Sequence, residues 1–161
     1  MSDHEFPVER TAILNFAAAL GETNRIYWDE EYAKATPVGG VIAPPTFAVS
    51  SALWNPSYAL RGIRQIPARP DPPPDDGAQK AGRGDSSRLL HGEQRFEYHQ
   101  PLRPGMRLAV STRAGRSWKK EGKRGGTLRF SESVTEFRDE RGSLVMTATG
   151  VSIITEKAVG G

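Results

Sequence analysis

The sequence contains no cysteine, and this removes a whole group of functional sites from consideration. A chain without thiols has no disulfides, no thiolate ligands for zinc and no cysteine nucleophile. It also lacks any apolar run approaching the roughly 18 residues of a membrane-spanning helix. The amino terminus, MSDHEF, lacks the basic start and apolar run of a signal peptide. These absences predict a cytoplasmic protein with no membrane segment.

A large excess of charge of either sign is also missing. The chain has 22 Lys and Arg against 19 Asp and Glu, a formal charge of +3, and a pI near 9.4. This balance favours anionic partners such as phosphorylated cofactors. A nucleic-acid surface would need stacking aromatic residues among the basic ones and a more basic total, so no nucleic-acid partner is predicted.

Helical patterns occupy the amino-terminal part of the chain. One helix is predicted for about residues 8–20, because apolar residues recur at the spacing of one helical face: Ile13, Phe16, Ala17 and Leu20. Gly21 is expected at its C-terminal cap. The run WDEEYAKAT predicts a short second helix with Asp29 as the cap. After a double proline, an apolar segment with few charges predicts a buried helix from Pro45 to about Leu53.

Residues 64–88 differ from the rest of the chain in composition. Proline, glycine and charged residues dominate this stretch, and apolar residues are nearly missing from it. Such a segment cannot bury enough apolar surface to offset the entropy of folding. We therefore predict a long flexible loop inside a single domain that covers residues 1–161, a length that suffices for one core.

After this loop, the apolar period changes from that of a helix to that of a strand. Alternation predicts four strands, in HGEQRFEYHQ, MRLAVSTR, TLRFSESVTEF and LVMTATGVSIIT. Turn sequences at Pro104-Gly105, at Gly125-Gly126 and in DERG separate the last three strands from each other and from the first. Short connections predict an antiparallel meander. Helices followed by strands predict an α+β fold in which the apolar helix packs on the sheet.

This order of elements resembles the hot-dog fold of the MaoC-like hydratases and dehydratases, in particular the N-terminal half of MaoC dehydratase. Four stretches in order carry the resemblance: GETN (21–24), APPTF (43–47), LHGEQRFEYHQPLRPGM (90–106) and the strand pair around GKRGG (122–126). Together they cover most of the chain outside the loop. The resemblance implies an antiparallel sheet wrapped around a central α-helix near residues 46–53, with two such units side by side.

The resemblance also implies a reaction. Active members of that family add water to a trans-2-enoyl thioester or remove it from a 3-hydroxyacyl thioester, usually with R stereochemistry. Their catalytic loop has the pattern Gly-Asp-x-Asn-Pro-aliphatic-His. The Asp and His hold one water and move its proton, while a main-chain N–H at the central helix polarises the thioester carbonyl.

The corresponding loop of this chain, GETNRIY, departs from that pattern. Gly21 and Asn24 match, Arg25 stands at the proline position, Glu22 at the Asp position and Tyr27 at the His position. A tyrosine with a pKa of about 10 is a poor base at neutral pH. A carboxylate displaced by about 1 Å can cost roughly a hundredfold in rate. We therefore interpret Glu22 and Tyr27 as a degenerate, non-catalytic pair.

Other residues are weaker candidates for moving a proton. His91 begins the first long strand and could serve with Glu22 in a self-sufficient site. His99 ends the same strand, where a structural role is expected, and His4 is expected to lie in a frayed terminus. The central helix has no carboxylate of the kind that hot-dog thioesterases use. The sequence predicts no metal site and no cofactor beyond the thioester, carried on coenzyme A or on a carrier protein.

The resulting functional hypothesis is a non-catalytic subunit of a hydro-lyase of fatty acid metabolism. It would pair, as a hetero- or homodimer, with a catalytic hot-dog chain through an edge strand, and bind the acyl chain with Phe47, Leu53 and Trp54. Five basic residues of one predicted hairpin are expected to dock coenzyme A phosphates or an acidic carrier protein, unless the hairpin is merely solvated: Arg116, Lys119, Lys120, Lys123 and Arg124.

Two alternatives remain open at this point. One is a homodimeric enoyl-CoA hydratase that uses Glu22 and His91. The other is a module that binds an acyl thioester without any reaction.

Overall fold

The computed structural model describes residues 3–56, 88–122 and 126–156. Its elements in chain order are β1 (His4–Pro7), α1 (Arg10–Ala19), a 3₁₀ helix (Arg25–Tyr27), α2 (Glu30–Lys34), a second 3₁₀ helix (Phe47–Trp54), β2 (Leu89–Tyr98), β3 (Arg107–Gly122), β4 (Gly126–Arg138) and β5 (Leu144–Thr155). This order confirms the α+β class. Except for Arg88, the predicted loop at 64–88 lies outside the described residues. None of the described helices is long and apolar enough to cross a bilayer.

The five strands form one antiparallel sheet in the order β1-β3-β4-β5-β2. Strands β3, β4 and β5 follow one another as predicted, but β2 pairs with β5 at the far edge, so the predicted meander is wrong there. The link at 99–106 contains Pro101 and Pro104, which cannot donate to a hairpin ladder. The eight residues of this link are long enough to run from β2 to β3, which lie three strand spacings apart, roughly 14 Å.

Strand β1 was not predicted from the sequence. It pairs antiparallel with β3, with His4 opposite Val110, and the N–H of Asp3 donates to the carbonyl of Val110 at 2.7 Å. The Nε2 atom of His4 lies 3.0 Å from the carbonyl oxygen of Ser51. The expectation of a frayed terminus is therefore wrong, because pairing along β3 and the imidazole contact both hold this segment in place.

The helix predicted to be buried before the loop is a 3₁₀ helix and not an α-helix, and it is buried only in part, since Val49, Leu53 and Trp54 are exposed. It starts at Phe47, two residues after Pro45, and its backbone N–H groups bond three residues back, as from Val49 to Thr46 at 3.1 Å. The hydroxyl of Ser50 donates to the carbonyl of Phe47 at 2.7 Å. Side-chain bonds of this kind compete with α-helical backbone bonds, which accounts for the tighter turn.

The described residues form two compact units. The first unit holds both α-helices, both 3₁₀ helices and β1, and consists of residues 3–56, 95–113 and 134–149. The second unit holds the remaining parts of the four long strands, residues 88–94, 114–122, 126–133 and 150–156. That the chain is a single domain stays a prediction.

An aromatic cluster forms the centre of the first unit. The ring of Phe47 lies 5.7 Å from that of Phe6 and 5.5 Å, edge-on, from that of Phe16. The ring of Phe137 approaches Phe6 edge-on at 6.4 Å. These separations are those of favourable aromatic pairs. Aliphatic side chains from the strands complete the core: Leu108, Val110, Val145 and Met146.

Helix α1 packs on this core by the predicted face, with one exception. Ile13 and Ala17 are buried and Phe16 packs against the cluster, as the spacing predicts. Leu20 is exposed, so its place in the buried stripe was wrong. The helix ends at Ala19, and Gly21 then takes a left-handed φ of 69° that turns the chain away.

We expect Phe137→Ala to lower the free energy of unfolding by about 3–5 kcal/mol, because its ring is 2% exposed and lies against Phe6. Urea denaturation measures this. As a control, Val49→Ala shortens a side chain whose residue is 54% exposed. It should change the free energy of unfolding by no more than about 0.5 kcal/mol. Equal losses in both variants would contradict the assignment of Phe137 to the core.

Candidate functional site

The loop between α1 and α2, residues 21–29, is shaped by its own polar side chains. The Oδ1 atom of Asn24 accepts a hydrogen bond from the N–H of Ile26 at 3.1 Å and caps the first 3₁₀ helix. The Oδ1 atom of Asp29 accepts from the N–H of Tyr32 at 3.0 Å and caps α2. The cap predicted at Asp29 is confirmed. Together these caps define the path of the loop.

Arg25, which stands where the family pattern has proline, ties this loop to α2. Its Nε atom donates to Oδ2 of Asp29 at 3.0 Å, and its guanidinium also lies 4.9 Å from the ring centre of Tyr32. The Tyr32 N–H and the Arg25 side chain lower the pKa of Asp29 below its usual value. Hydrogen bonds to the charged carboxylate have this effect because they stabilise the ionised form.

Glu22 and Tyr27, at the positions of the family's proton-moving pair, have different environments. Glu22 is exposed, whereas Tyr27 is half-buried against the core cluster. Burial, and secondly the negative charge of Glu22, raise the pKa of Tyr27. Within the described part of the chain, neither side chain makes a hydrogen bond. The phenol therefore stays protonated at neutral pH and can donate a hydrogen bond, but it cannot take a proton from water.

The three residues expected to bind an acyl chain are not equivalent in the structure. Phe47 is 1% exposed and lies within the aromatic core. Leu53 and Trp54, at the other end of the same 3₁₀ helix, are 50% and 43% exposed. Only the latter two present apolar surface that a ligand could cover.

The two candidate histidines lie at opposite ends of the same strand. His91 is exposed on β2. His99 is exposed just after β2, and its backbone N–H donates to the carbonyl of Val145 at 2.9 Å. Among the described residues, no group of three or more His, Asp or Glu side chains is placed to hold a metal ion.

Three of the five basic residues of the predicted hairpin, Arg116, Lys119 and Lys120, lie on β3, where alternation separates them onto two faces. Arg116 pairs through Nη2 with Glu132 at 2.8 Å, and the Glu132 side chain is only 7% exposed. The hydrogen bond and charge of Glu132 raise the pKa of Arg116. Trp118 stacks on Phe130 at 5.0 Å, and the ammonium of Lys120 lies 5.7 Å from the centre of that ring. Arg116 is thus already neutralised by a carboxylate.

Lys119 points to the opposite face of β3. It lines a cavity of about 330 Å³ whose polar lining residues are Ser117, Lys119, Arg129 and Ser131. Neither Lys119 nor Arg129 forms an ion pair with another described residue. This pair of cations, with Arg129 missed from the sequence, is more available to an anion than Arg116. Lys123 and Arg124 lie outside the described residues.

The first unit contains another cavity, which we call the apolar cavity, of about 350 Å³. It is lined by Ile42, Ala43, Pro45, Tyr98, His99, Gln100, Pro101 and Leu102. The N–H of Ala43 donates to the carbonyl of Leu102 at 2.8 Å and joins its two walls. The sequence did not indicate this site, because its walls are two irregular segments far apart in the chain. The sequence feature that the two walls share is their overlap with the stretches APPTF and LHGEQRFEYHQPLRPGM, which carry the family resemblance.

The chain is similar in sequence to one known protein family and to several bacterial proteins. The model described as FAS1-like, dehydratase domain region, matches residues 1–148. The chain is 36% identical over 107 residues to a UPF0336 protein of Streptomyces avermitilis, covering 66% of this chain and 60% of that protein. It is 28% identical over 146 residues to the probable enoyl-CoA hydratase alpha subunit of Thermomonospora curvata, covering 88% of this chain and 43% of that protein. The match thus spans about half the length of these relatives.

Solved structures show the same fold. The MaoC-like dehydratase of Rhodospirillum rubrum superposes with a TM-score of 0.61 at 17% identity, covering 96% of this chain and 88% of the other. The HadBC (3R-hydroxyacyl-ACP dehydratase) complex of Mycobacterium tuberculosis gives a TM-score of 0.63 at 20% identity, with coverages of 92% and 89%. The hot-dog fold and the resemblance to MaoC-like dehydratases are therefore confirmed.

We expect Asp29→Asn to destabilise the protein at neutral pH, and the difference from the unmodified chain to vanish in acid. The pKa of Asp29 is lowered in the fold, so its charge contributes stability that is fully present above about pH 4 and lost as the pH falls through the lower folded value. Asparagine keeps the cap but not the charge.

Thermal unfolding midpoints of both proteins, measured from pH 7 downward, test this expectation. Glu140→Gln, at an exposed turn position, is the control and should show no such trend. A difference for Asp29→Asn that is independent of pH would contradict the role of the charge.

Proposed function

This chain belongs to the family of FAS1-like dehydratase domain regions, and we propose that it is a hot-dog subunit of an enoyl-thioester hydratase or (R)-3-hydroxyacyl-thioester dehydratase. In this proposal it does not perform the chemistry itself. The supporting observation is the protonation state of Tyr27, which stands where the family pattern has a histidine. Its raised pKa keeps the phenol protonated.

Adding water to an enoyl thioester requires a base that accepts a proton from water near neutral pH. A partly buried phenol next to a carboxylate is the opposite of such a base, because both burial and the negative charge disfavour its ionised form. Glu22 alone could accept a proton, but it is exposed to solvent and forms no hydrogen bond with another described residue that would help it hold the water.

The proposed catalytic group comes from a partner chain that keeps Gly-Asp-x-Asn-Pro-x-His. Strand β2 is an edge strand of the sheet and has exposed apolar side chains at Leu89, Leu90 and Tyr98. Exposed apolar edges favour association with another chain. The structurally similar HadBC protein is described as a complex, which supports a paired arrangement for this chain.

The proposed substrate is an acyl thioester carried by coenzyme A or a carrier protein. Of the basic residues on β3, we assign docking of phosphate groups to Lys119, together with Arg129, because both cations line one cavity with two serine hydroxyls. Ammonium, guanidinium and hydroxyl groups are suitable phosphate ligands. Arg116 is not assigned this role, since Glu132 already holds it.

We expect the purified full chain alone to hydrate crotonyl-CoA at less than roughly 1 s⁻¹, the lower end of typical enzyme turnover. Activity should appear when a hot-dog partner with the intact loop is added, and Glu22→Ala should leave that activity unchanged. The measurement is the loss of enoyl absorbance on hydration, with the partner alone as control.

Rapid turnover by the chain alone would overturn the non-catalytic assignment. If Glu22→Ala and His91→Ala then each abolished that turnover, the homodimeric hydratase would be the correct description. Thioester binding without activity, in the presence of every co-purifying protein, would instead indicate a binding module.

We expect Lys119→Ala to weaken binding of coenzyme A by about two- to fivefold, the range of one exposed charge contact. Lys120→Ala is the matched control, because it removes the same charge from the neighbouring position on the other face of β3. Isothermal titration at low and moderate salt measures both. Equal effects of the two substitutions would contradict the assignment to one face.

A further inference from the structure

The apolar cavity of the first unit has the composition of a small-ligand site. Five of its lining residues are apolar, and the remaining three, Tyr98, His99 and Gln100, provide a phenol, an imidazole and an amide. None of the eight is a carboxylate, a lysine or an arginine. A concave, mainly apolar surface with a few polar groups is the usual arrangement of a pocket that binds a neutral organic group.

Backbone hydrogen bonds fix the walls of this cavity and leave the polar side chains available. The N–H groups of His99 and Gln100 donate to the carbonyl of Val145 at 2.9 and 3.3 Å. The side chains of Tyr98, His99 and Gln100 form no hydrogen bond with any other described residue. Although Tyr98 is 38% exposed, its partial burial raises its pKa to about 12, so its hydroxyl keeps its proton at neutral pH. The cavity therefore offers donors with no partner of their own.

The cavity is also joined to the loop at 21–29. The N–H of Ile42, a lining residue, donates to the carbonyl of Ile26 in the loop at 3.4 Å. A group held in the cavity would thus lie beside the segment that corresponds to the family's catalytic loop. Phe47, in contrast, is enclosed by other aromatic rings and cannot line an acyl site without opening the core.

We propose that the apolar cavity binds the short acyl group of a thioester, and that Gln100 and His99 hold its carbonyl group by hydrogen bonds. This inference rests on the proposed function for the identity of the ligand. The volume of about 350 Å³ is near the lower end of the roughly 300–1,000 Å³ of small-molecule pockets, which favours a short chain. In this arrangement His99 and Gln100 are positioning residues, and the cavity sets the chain length.

A series of saturated acyl-CoA ligands tests the chain length, because saturated chains cannot be hydrated. Isothermal titration of the full chain with butanoyl-, hexanoyl-, octanoyl- and dodecanoyl-CoA should show affinity rising by up to about fourfold for each added methylene. The rise should stop once the cavity is filled, before dodecanoyl-CoA. Affinity that is flat across the series, or that keeps rising to dodecanoyl-CoA, would overturn the proposal.

Substitutions in the wall test the location. Ala43→Leu places extra volume in the cavity and should weaken hexanoyl-CoA binding at least about tenfold, whereas Ala109→Leu adds the same group at an exposed position of β3 and should not. Because Ala43 also belongs to the core, the unfolding midpoint is measured for both variants.

Gln100→Leu keeps the size of the side chain and removes its amide. It should weaken binding by about two- to tenfold, the range of one hydrogen bond.

The outcomes separate this inference from the proposed function. If Leu53→Ala and Trp54→Ala weakened hexanoyl-CoA binding while the variants at Ala43 and Gln100 did not, the acyl site would lie at the end of the 3₁₀ helix. The cavity assignment would then be wrong and the proposed function would stand. If the full chain bound no acyl-CoA, alone or with its catalytic partner, both would be wrong.

Discussion

The burial of Phe47 is the constraint on which the first unit depends. Its ring packs against Phe6 from β1 and Phe16 from α1, and Phe6 in turn contacts Phe137 from β4. One chain of aromatic contacts therefore connects a helix, a 3₁₀ helix and two strands. Because the loop at 21–29 follows directly after α1, this packing also determines where that loop begins. The position of the candidate site is thus a consequence of the core.

The same constraint explains what the sequence could and could not predict. The first helix, the cap at Asp29 and the strands β3 to β5 depend on local spacing and turn residues, and they were predicted. Strand β1 has four residues, too few to show a period, and it is ordered by pairing with β3. From the sequence, Phe47 is expected to contact the acyl chain, because residue type cannot distinguish an apolar side chain facing the core from one facing a pocket. That distinction requires the tertiary partners.

The basic residues on β3 show a related difficulty. From the sequence they form one cluster, but a strand directs successive side chains to opposite faces. Arg116 and Lys119 therefore meet different neighbours, a buried Glu132 in one case and Arg129 in the other. Because β3 continues to Gly122, strand alternation places Arg116 and Lys119 on different faces. The identity of the neighbours depends on strand register, which no local pattern contains.

The loop at 21–29 keeps a defined shape although its proton-moving pair is changed. Asn24 caps the first 3₁₀ helix, and the ion pair of Arg25 with Asp29 ties the loop to α2. The backbone of this loop supports one wall of the apolar cavity through the bond from Ile42 to Ile26. A loop of this kind can position a ligand without a base, because positioning requires a fixed backbone whereas proton transfer requires a titratable group. Ligand positioning and proton transfer are therefore separable functions, and the proposed division between an acyl-binding subunit and a catalytic partner depends on that separation.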